Sequence, residues 1–253
     1  PDGRREPSAR SLKEGSLVFE DLETYRLWGE TLRPICAFFW ISTYLLVIRR
    51  GYKDRLPAMP LAAVGLNICW EGIFSFLYMP DDPRVLLAWG SCFVLDVFIL
   101  HQVYRYGSRD FPHPLVKKHW NAAVGLALVS AFMALMGFTA QFKDKLGWFT
   151  GFLQNLLMSI LFVAMLIRRD SVKGQSLYIA LGKFLGTLVA FILAIRWSPA
   201  FGTAVVDHKL RAPTPMQPLI YWIYPLIFVF DLLYILLVYQ KCRDEGINPW
   251  RRL

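Results

Sequence analysis

The sequence predicts an all-α, polytopic membrane protein of seven transmembrane helices. Three observations predict it. The chain has 253 residues, 55% of them hydrophobic, and a mean hydropathy of +0.38, more apolar than a water-soluble domain of this size. Its apolar residues come in blocks of about 20, the length that crosses a hydrocarbon core of about 30 Å. Most of its charge lies between those blocks.

In order, the blocks cover residues 32–48, 57–78, 84–104, 119–140, 146–167, 175–195 and 218–239. The net charge of +9 is explained by the positive-inside rule rather than by nucleic acid. Arg49, Arg50, Lys53 and Arg55 follow the first block, and Arg105, Arg109, Lys117 and Lys118 the third. Arg168, Arg169 and Lys173 follow the fifth, and Lys241, Arg243, Arg251 and Arg252 the last. The opposite connections are poorer in cations: Arg84, then Lys143 and Lys145, then Arg196, Lys209 and Arg211. The bias predicts a cytoplasmic C-terminus and an outside N-terminus. Both a plasma membrane and the endoplasmic reticulum fit this orientation.

The polar N-terminus lacks an apolar run, so no cleavable signal is expected and the first block is expected to direct insertion. Residues 1–31 read as a polar extension, 32–240 as the transmembrane domain and 241–253 as a basic cytoplasmic tail. Within the extension, Val18, Leu22, Tyr25 and Gly29, flanked by Phe19 and Trp28, suit either a short helix on the membrane surface or a frayed tail. The proline-bearing loop 196–217 is expected outside, over the mouth of a cavity. Cys36, Cys69, Cys92 and Cys242 show no disulfide or zinc spacing.

Two internal matches stand four blocks apart. FVLDVFILHQVY (93–104) aligns without a gap on FVFDLLYILLVY (228–239), and LVIRR (46–50) resembles MLIRR (165–169). A three-plus-one-plus-three parallel pseudo-repeat gives that spacing, although shared membrane composition gives similar matches. Gly182, Gly186, Ala190 and Ala194 form a small-residue stripe suited to close helix packing.

The chemistry-bearing residues are Glu71, Asp96 and Asp231, three carboxylic acids at membrane depth. Each costs about 2.5–3.5 kcal/mol to insert as an ion, so such residues face the bundle or a wet cavity. Asn67, Glu71 and Ser75 repeat every four residues and Tyr78 extends the row, a polar stripe on one helix face. Trp70 and Phe74 flank Glu71, and Trp89, Cys92 and Phe93 precede Asp96. Tyr224, Phe228 and Tyr234 share a face with Asp231. A buried carboxylic acid can donate a proton, and aromatic faces stabilise cations, so acid plus aromatic lining suits protonation of an alkene or epoxide and carbocation rearrangement. The plainer reading is a carboxyl that hydrogen-bonds a neighbouring helix, and it weighs most for Asp96. Lys183 is expected to snorkel to the cytoplasmic surface rather than pair with an acid.

No DDxxD or DxDD pattern, Walker loop, GxGxxG or HExxH occurs; Asp81 and Asp82 supply only a first pair. His101, His113, His119 and His208 are scattered. No metal and no cofactor is therefore expected. The partners expected are the lipid bilayer and a lipophilic small molecule that carries an alkene or epoxide.

The stretch MPLAAVGLNICWEGIFSF (59–76), with Asn67, Trp70 and Glu71, resembles the second helix of the small integral membrane terpene cyclases. These include fungal paxilline- and pyripyropene-pathway enzymes and bacterial drimentine-type cyclases. RRGYKDRLPAMP (49–60) is similar to the bacterial branch, and VKGQS (172–176) and the last block with Asp231 also fit. The resemblance implies that Glu71 and Asp231 are the catalytic acids; Asp96, from its depth in the membrane, is expected as a supporting or third catalytic acid. It implies metal-independent cyclisation of a farnesyl-type chain on a meroterpenoid or a prenylated indole or cyclodipeptide. Asn67, Trp70, Phe74, Trp89, Tyr224, Phe228 and Tyr234 are then expected around the substrate. The extension is longer than the family's, and Gly72 stands where a bulky residue is common. Two other functions fit part of the pattern. A small seven-helix transporter of sugars, or coupled to protons, would use the repeat, and a non-catalytic scaffold would need only the helices.

Overall fold

The structure, a computed structural model, describes residues 9–111, 113–197, 204–206, 209–211 and 217–253, with side chains of the first helix described from Gly29 onward. α1 (Ala9–Asp54) is one helix of 46 residues. α2 (Leu61–Gly72) continues into a π-helical turn, Ile73–Leu77. α3 (Pro83–Asp110), a short α4 (Pro114–Lys118), α5 (Trp120–Phe142), α6 (Trp148–Arg169) and α7 (Leu177–Trp197) follow. A two-stranded antiparallel ribbon, β1 (Ala204–Val206) and β2 (Lys209–Arg211), precedes α8 (Gln217–Asp244), and a 3-10 turn, Pro249–Arg251, ends the chain. The surface-facing of residues 17–28 and most of the expected cavity cap at 196–217 lie outside the described residues.

Among the described residues six helices are long and apolar enough to cross a membrane, and Leu61–Leu77 is a shorter apolar helix of 17 residues, matching the seven expected blocks. At about 1.5 Å per residue it spans about 25 Å, just short of the hydrocarbon core. Large apolar side chains point outward along the spans. Leu87, Leu126, Met133 and Trp222 are all more than 60% exposed, an arrangement stable against lipid rather than water.

The helices pack as two similar halves. In the first, α3 lies against both α1 and α2; in the second, α8 lies against both α6 and α7. The halves meet crosswise, α1 on α7 and α2 on α6, with α5 against α2. This is the packing order of a three-plus-one-plus-three arrangement. The small-residue stripe lets α1 and α7 approach. A Cβ at Gly182 would collide with Thr43 Oγ1, and one at Gly186 would sit 3.1 Å from the Trp40 indole nitrogen.

The cationic helix ends gather at one end of the bundle. Asp110 binds Arg168 and Arg169 (2.7 Å to the latter), and Asp54 binds Arg252 at 2.8 Å. Arg252 also donates to the Val172 and Gln175 carbonyls, so the last residues dock on the α6–α7 turn. At the other end, Asp82 caps α3 and pairs with Arg33 and Arg84.

Candidate active site

The polar stripe of α2 faces inward. Asn67, Glu71 and Ser75 are all at most 5% exposed. α3 brings the wholly buried Asp96 to this face, and α1 brings Tyr44. Asn67 stands between them: its Nδ2 donates to Asp96 Oδ2 at 2.8 Å and also to Tyr44 Oη. The Tyr44 hydroxyl in turn donates to Glu71 Oε1 at 2.7 Å. The result is a chain, Asp96–Asn67–Tyr44–Glu71, drawn from three helices. Glu71 Oε2, Asp96 Oδ1 and Ser75 Oγ are buried with no hydrogen-bond partner among the described residues.

The aromatic residues around Glu71 form a cluster. Trp70 lies 4.9 Å from Phe74 and 5.2 Å from Trp89, centroid to centroid, and Tyr78 lies 5.8 Å from Phe74. The Trp70 indole crosses to α6 over Gly151 and donates to Thr150 Oγ1 at 3.0 Å. Thr150 donates to Asp144, a loop carboxyl that burial pushes above its ordinary range against the pull of those hydrogen bonds. The π turn begins one residue after Gly72, where widened helices often mark functional sites. Gly72 leaves room for the Phe93 ring, 3.2 Å from where a Cβ would stand.

Asp231 belongs to a second cluster, in the other half. Its Oδ1 lies 2.6 Å from Lys183 Nζ, with both side chains buried. This corrects the expectation for Lys183: it sits within the helix bundle, bound to an acid, and does not snorkel. The reason is tertiary. α6 presents Asn155 and Ser159, one turn apart, to α7, and their oxygens hold the ammonium at 3.0 and 2.6 Å. Asn155 Nδ2 also donates to Thr187 Oγ1 at 3.0 Å.

The remaining expected residues fall on the α8 side. Tyr224 packs on Phe152 and Phe191, each 4.2 Å away, and Phe228 packs on Phe184 and Phe191. Tyr234 lies 5.3 Å from Phe162. Asn67 and Asp96 are thus joined directly and Glu71 is joined to them through Tyr44, while Asp231 with its tyrosines forms a separate group. The two groups approach each other at a small cavity between the halves. Tyr44 and Lys183 both line it, with Trp40, Met158 and Phe162, and it has room for about one water molecule.

Sequence reasoning missed Tyr44, Asn155, Ser159 and Thr187. Asn155 with Ser159, and Lys183 with Thr187, are four-residue pairs of the kind read on α2, and that signal was available. Tyr44 carries no comparable signal, being a lone tyrosine in an apolar run.

The fold and these clusters define an integral, multi-pass membrane protein with carboxyl sites in its interior. The chain belongs to the Pyr4-like transmembrane terpene cyclases, whose family profile matches residues 20–244. It is similar to asnovolin H synthase nvfL of Aspergillus novofumigatus, at 25% identity over 89% of this chain and 91% of the relative. It is also similar to terpene cyclase pyr4 of Aspergillus fumigatus, at 26% identity over 81% and 83%, and to terpene cyclase macJ of Penicillium terrestre, at 28% identity over 67% and 69%. No solved structure matches. The chain is therefore a membrane-bound terpene cyclase, as the resemblance in its second helix implied. The transporter reading is not favoured, since similar halves describe a packing plan and not an activity.

Proposed function

We propose that this cyclase works without a metal, by protonating the terminal alkene or epoxide of a farnesyl-type chain within the membrane. The chain is carried by a meroterpenoid or by a prenylated indole or cyclodipeptide. The observation that carries this reading is the buried Asp96–Asn67–Tyr44–Glu71 chain. Two carboxyls sit in it with only neutral groups between them, and two like charges without a cation are strongly disfavoured at low dielectric. One proton is retained on the pair, and a retained proton is a general acid.

Catalysis follows from that state. The carboxyl O–H bond breaks as the terminal π pair, or an epoxide oxygen, takes the proton. Positive charge then moves along the chain as ring bonds form. The faces of Trp70, Phe74, Trp89, Tyr224, Phe228 and Tyr234 stabilise it and exclude water. Glu71 is the donor, with Asp96 and Asn67 keeping the proton on the pair. Asp231 serves the later cation. Residues 32–240 carry the reaction, with the C-terminus on the cytoplasmic side as the charge bias supports.

Membranes bearing the protein, incubated with farnesylated indole and meroterpenoid precursors, test this by product analysis. Glu71→Gln and Asp231→Asn are each expected to lower cyclisation at least about 100-fold. Chelator-washed membranes are expected to keep full activity. Wild-type rates in both variants, or activity restored only by added magnesium, would overturn the reading.

A further inference from the structure

Hydrogen-bond geometry around Lys183 supports an ion pair in the second cluster. Its Nζ has three neighbours: Asp231 Oδ1 and Ser159 Oγ at 2.6 Å and Asn155 Oδ1 at 3.0 Å. The Ser159 hydroxyl donates to the Asn155 main-chain carbonyl at 2.8 Å, so toward Lys183 its oxygen accepts. Asn155 Nδ2 donates to Thr187, which leaves its Oδ1 to accept as well. Two of these neighbours can only accept, which uses both N–H bonds of a neutral amine; the ammonium adds a third, directed at the Asp231 carboxylate at 2.6 Å. A buried ammonium needs a counter-charge, and Asp231 supplies it.

The first cluster has the opposite balance. Its donors, Asn67 and Tyr44, are neutral, and it holds two carboxyls. Among the described residues, the groups facing Lys183 and Asp231 from the packed helices add no further charge. They are Tyr44 of α1 across the cavity, the neutral Asn155 and Ser159 of α6, Thr187 of α7 and Tyr234 of α8, while Arg169 of α6 is committed to Asp110.

We infer that Lys183 is a positioning residue that holds Asp231 as a carboxylate, making Asp231 the terminal proton acceptor and the Glu71–Asp96 cluster the donor. This rests on the proposed proton-initiated reaction. In the last step a C–H bond beside the final carbocation breaks, its electron pair becomes the C=C bond, and its proton passes to the Asp231 carboxylate. The proton lost by the donor equals the one gained by Asp231. Return of that proton to the donor after product release restores both clusters, so no co-reactant is needed.

Two measurements test the inference. The first needs no turnover. Infrared spectra of the detergent-solubilised protein are compared for the wild type, Glu71→Gln and the neutral double variant Lys183→Met/Asp231→Asn, which leaves no unpaired buried charge. The protonated-carboxyl band is expected to shrink in Glu71→Gln and to stay unchanged in the double variant. A band that disappears in the double variant would overturn the inference, even if no tested substrate is cyclised. The second is the pH profile of turnover. Lys183→Met is expected to lose at least about 100-fold near neutral pH and to regain activity as pH rises and Asp231 ionises, while Lys183→Arg retains most activity. A Lys183→Met profile parallel to wild type and within threefold of it would also overturn it. Wild-type protein that cyclises nothing, with the infrared result as expected, would fault the proposed substrate and leave the charge assignment standing.

Discussion

Asn67 and Lys183 hold corresponding places in the two halves of the bundle. Each lies on the second helix of its half and donates to the aspartate of the third: Asn67 Nδ2 to Asp96 Oδ2 at 2.8 Å, Lys183 Nζ to Asp231 Oδ1 at 2.6 Å. One turn further on stand Glu71 in the first half and Thr187 in the second. The same scaffold position therefore offers a neutral amide to one carboxyl and a cation to the other.

The Tyr44 hydroxyl both donates to Glu71 and accepts from Asn67. Tyr44→Phe keeps the ring and removes the link, so turnover is expected to fall about 10-fold or more, with about 1–3 kcal/mol of stability lost because buried Glu71 loses its donor. Asn67→Leu strips Asp96 and Tyr44 of their shared donor and is expected to cost about 1–3 kcal/mol in denaturant titrations. An unaffected turnover in Tyr44→Phe would show that the link plays no part in catalysis.

Gly182 and Gly186 carry unequal loads. Gly182→Ala drives a Cβ into Thr43 Oγ1, whereas Gly186→Ala meets Trp40 at 3.1 Å, a contact a small ring shift relieves. The first is expected to destabilise by about 1–3 kcal/mol, the second by less. Thr43→Ala removes the obstructing oxygen and is expected to rescue Gly182→Ala but not Gly186→Ala, a coupling that thermal melts of the single and double variants measure.

Asp82 accepts from the Arg84 main-chain N–H at 2.9 Å at the start of α3. Hydrogen bonds from the Arg84 side chain, with the charges of Arg84 and Arg33, hold this carboxyl below its ordinary value of 3.8. The folded value lies below the unfolded one, so the contribution is present above pH 3.8 and is lost as pH falls through the folded value. Asp82→Ala is expected to cost about 0.5–2 kcal/mol at neutral pH. Equal melting temperatures for variant and wild type at pH 7 would contradict the cap.

Trp70 anchors the aromatic cluster beside Glu71, while Trp222 is 74% exposed on the outer face of α8. Trp70→Leu is expected to lower turnover more than 10-fold and to raise the share of partly cyclised products. Trp222→Leu is expected to change neither. Product ratios by mass spectrometry separate the two outcomes, and equal effects would argue against a role for the cluster in shaping the substrate.

The sequence by itself determined the helices, because block length and apolarity answer to the thickness of the bilayer and to nothing else in the chain. It also marked the inward face of α2, since Asn67, Glu71 and Ser75 at four-residue spacing fall on one face of any helix. The acids Glu71, Asp96 and Asp231 were legible because a carboxyl at membrane depth is costly wherever it packs. Only the tertiary structure decided which groups each acid meets. Tyr44 comes from α1, donates directly to Glu71 and reaches Asp96 through Asn67, contacts with residues 27 and 23 positions away that no local pattern encodes. Lys183 is the plainest case. Near the start of an apolar helix, a lysine reaches water in isolation. In the bundle, Asn155, Ser159 and Asp231 surround it with three acceptors, and that solvation by neighbouring helices decides its position.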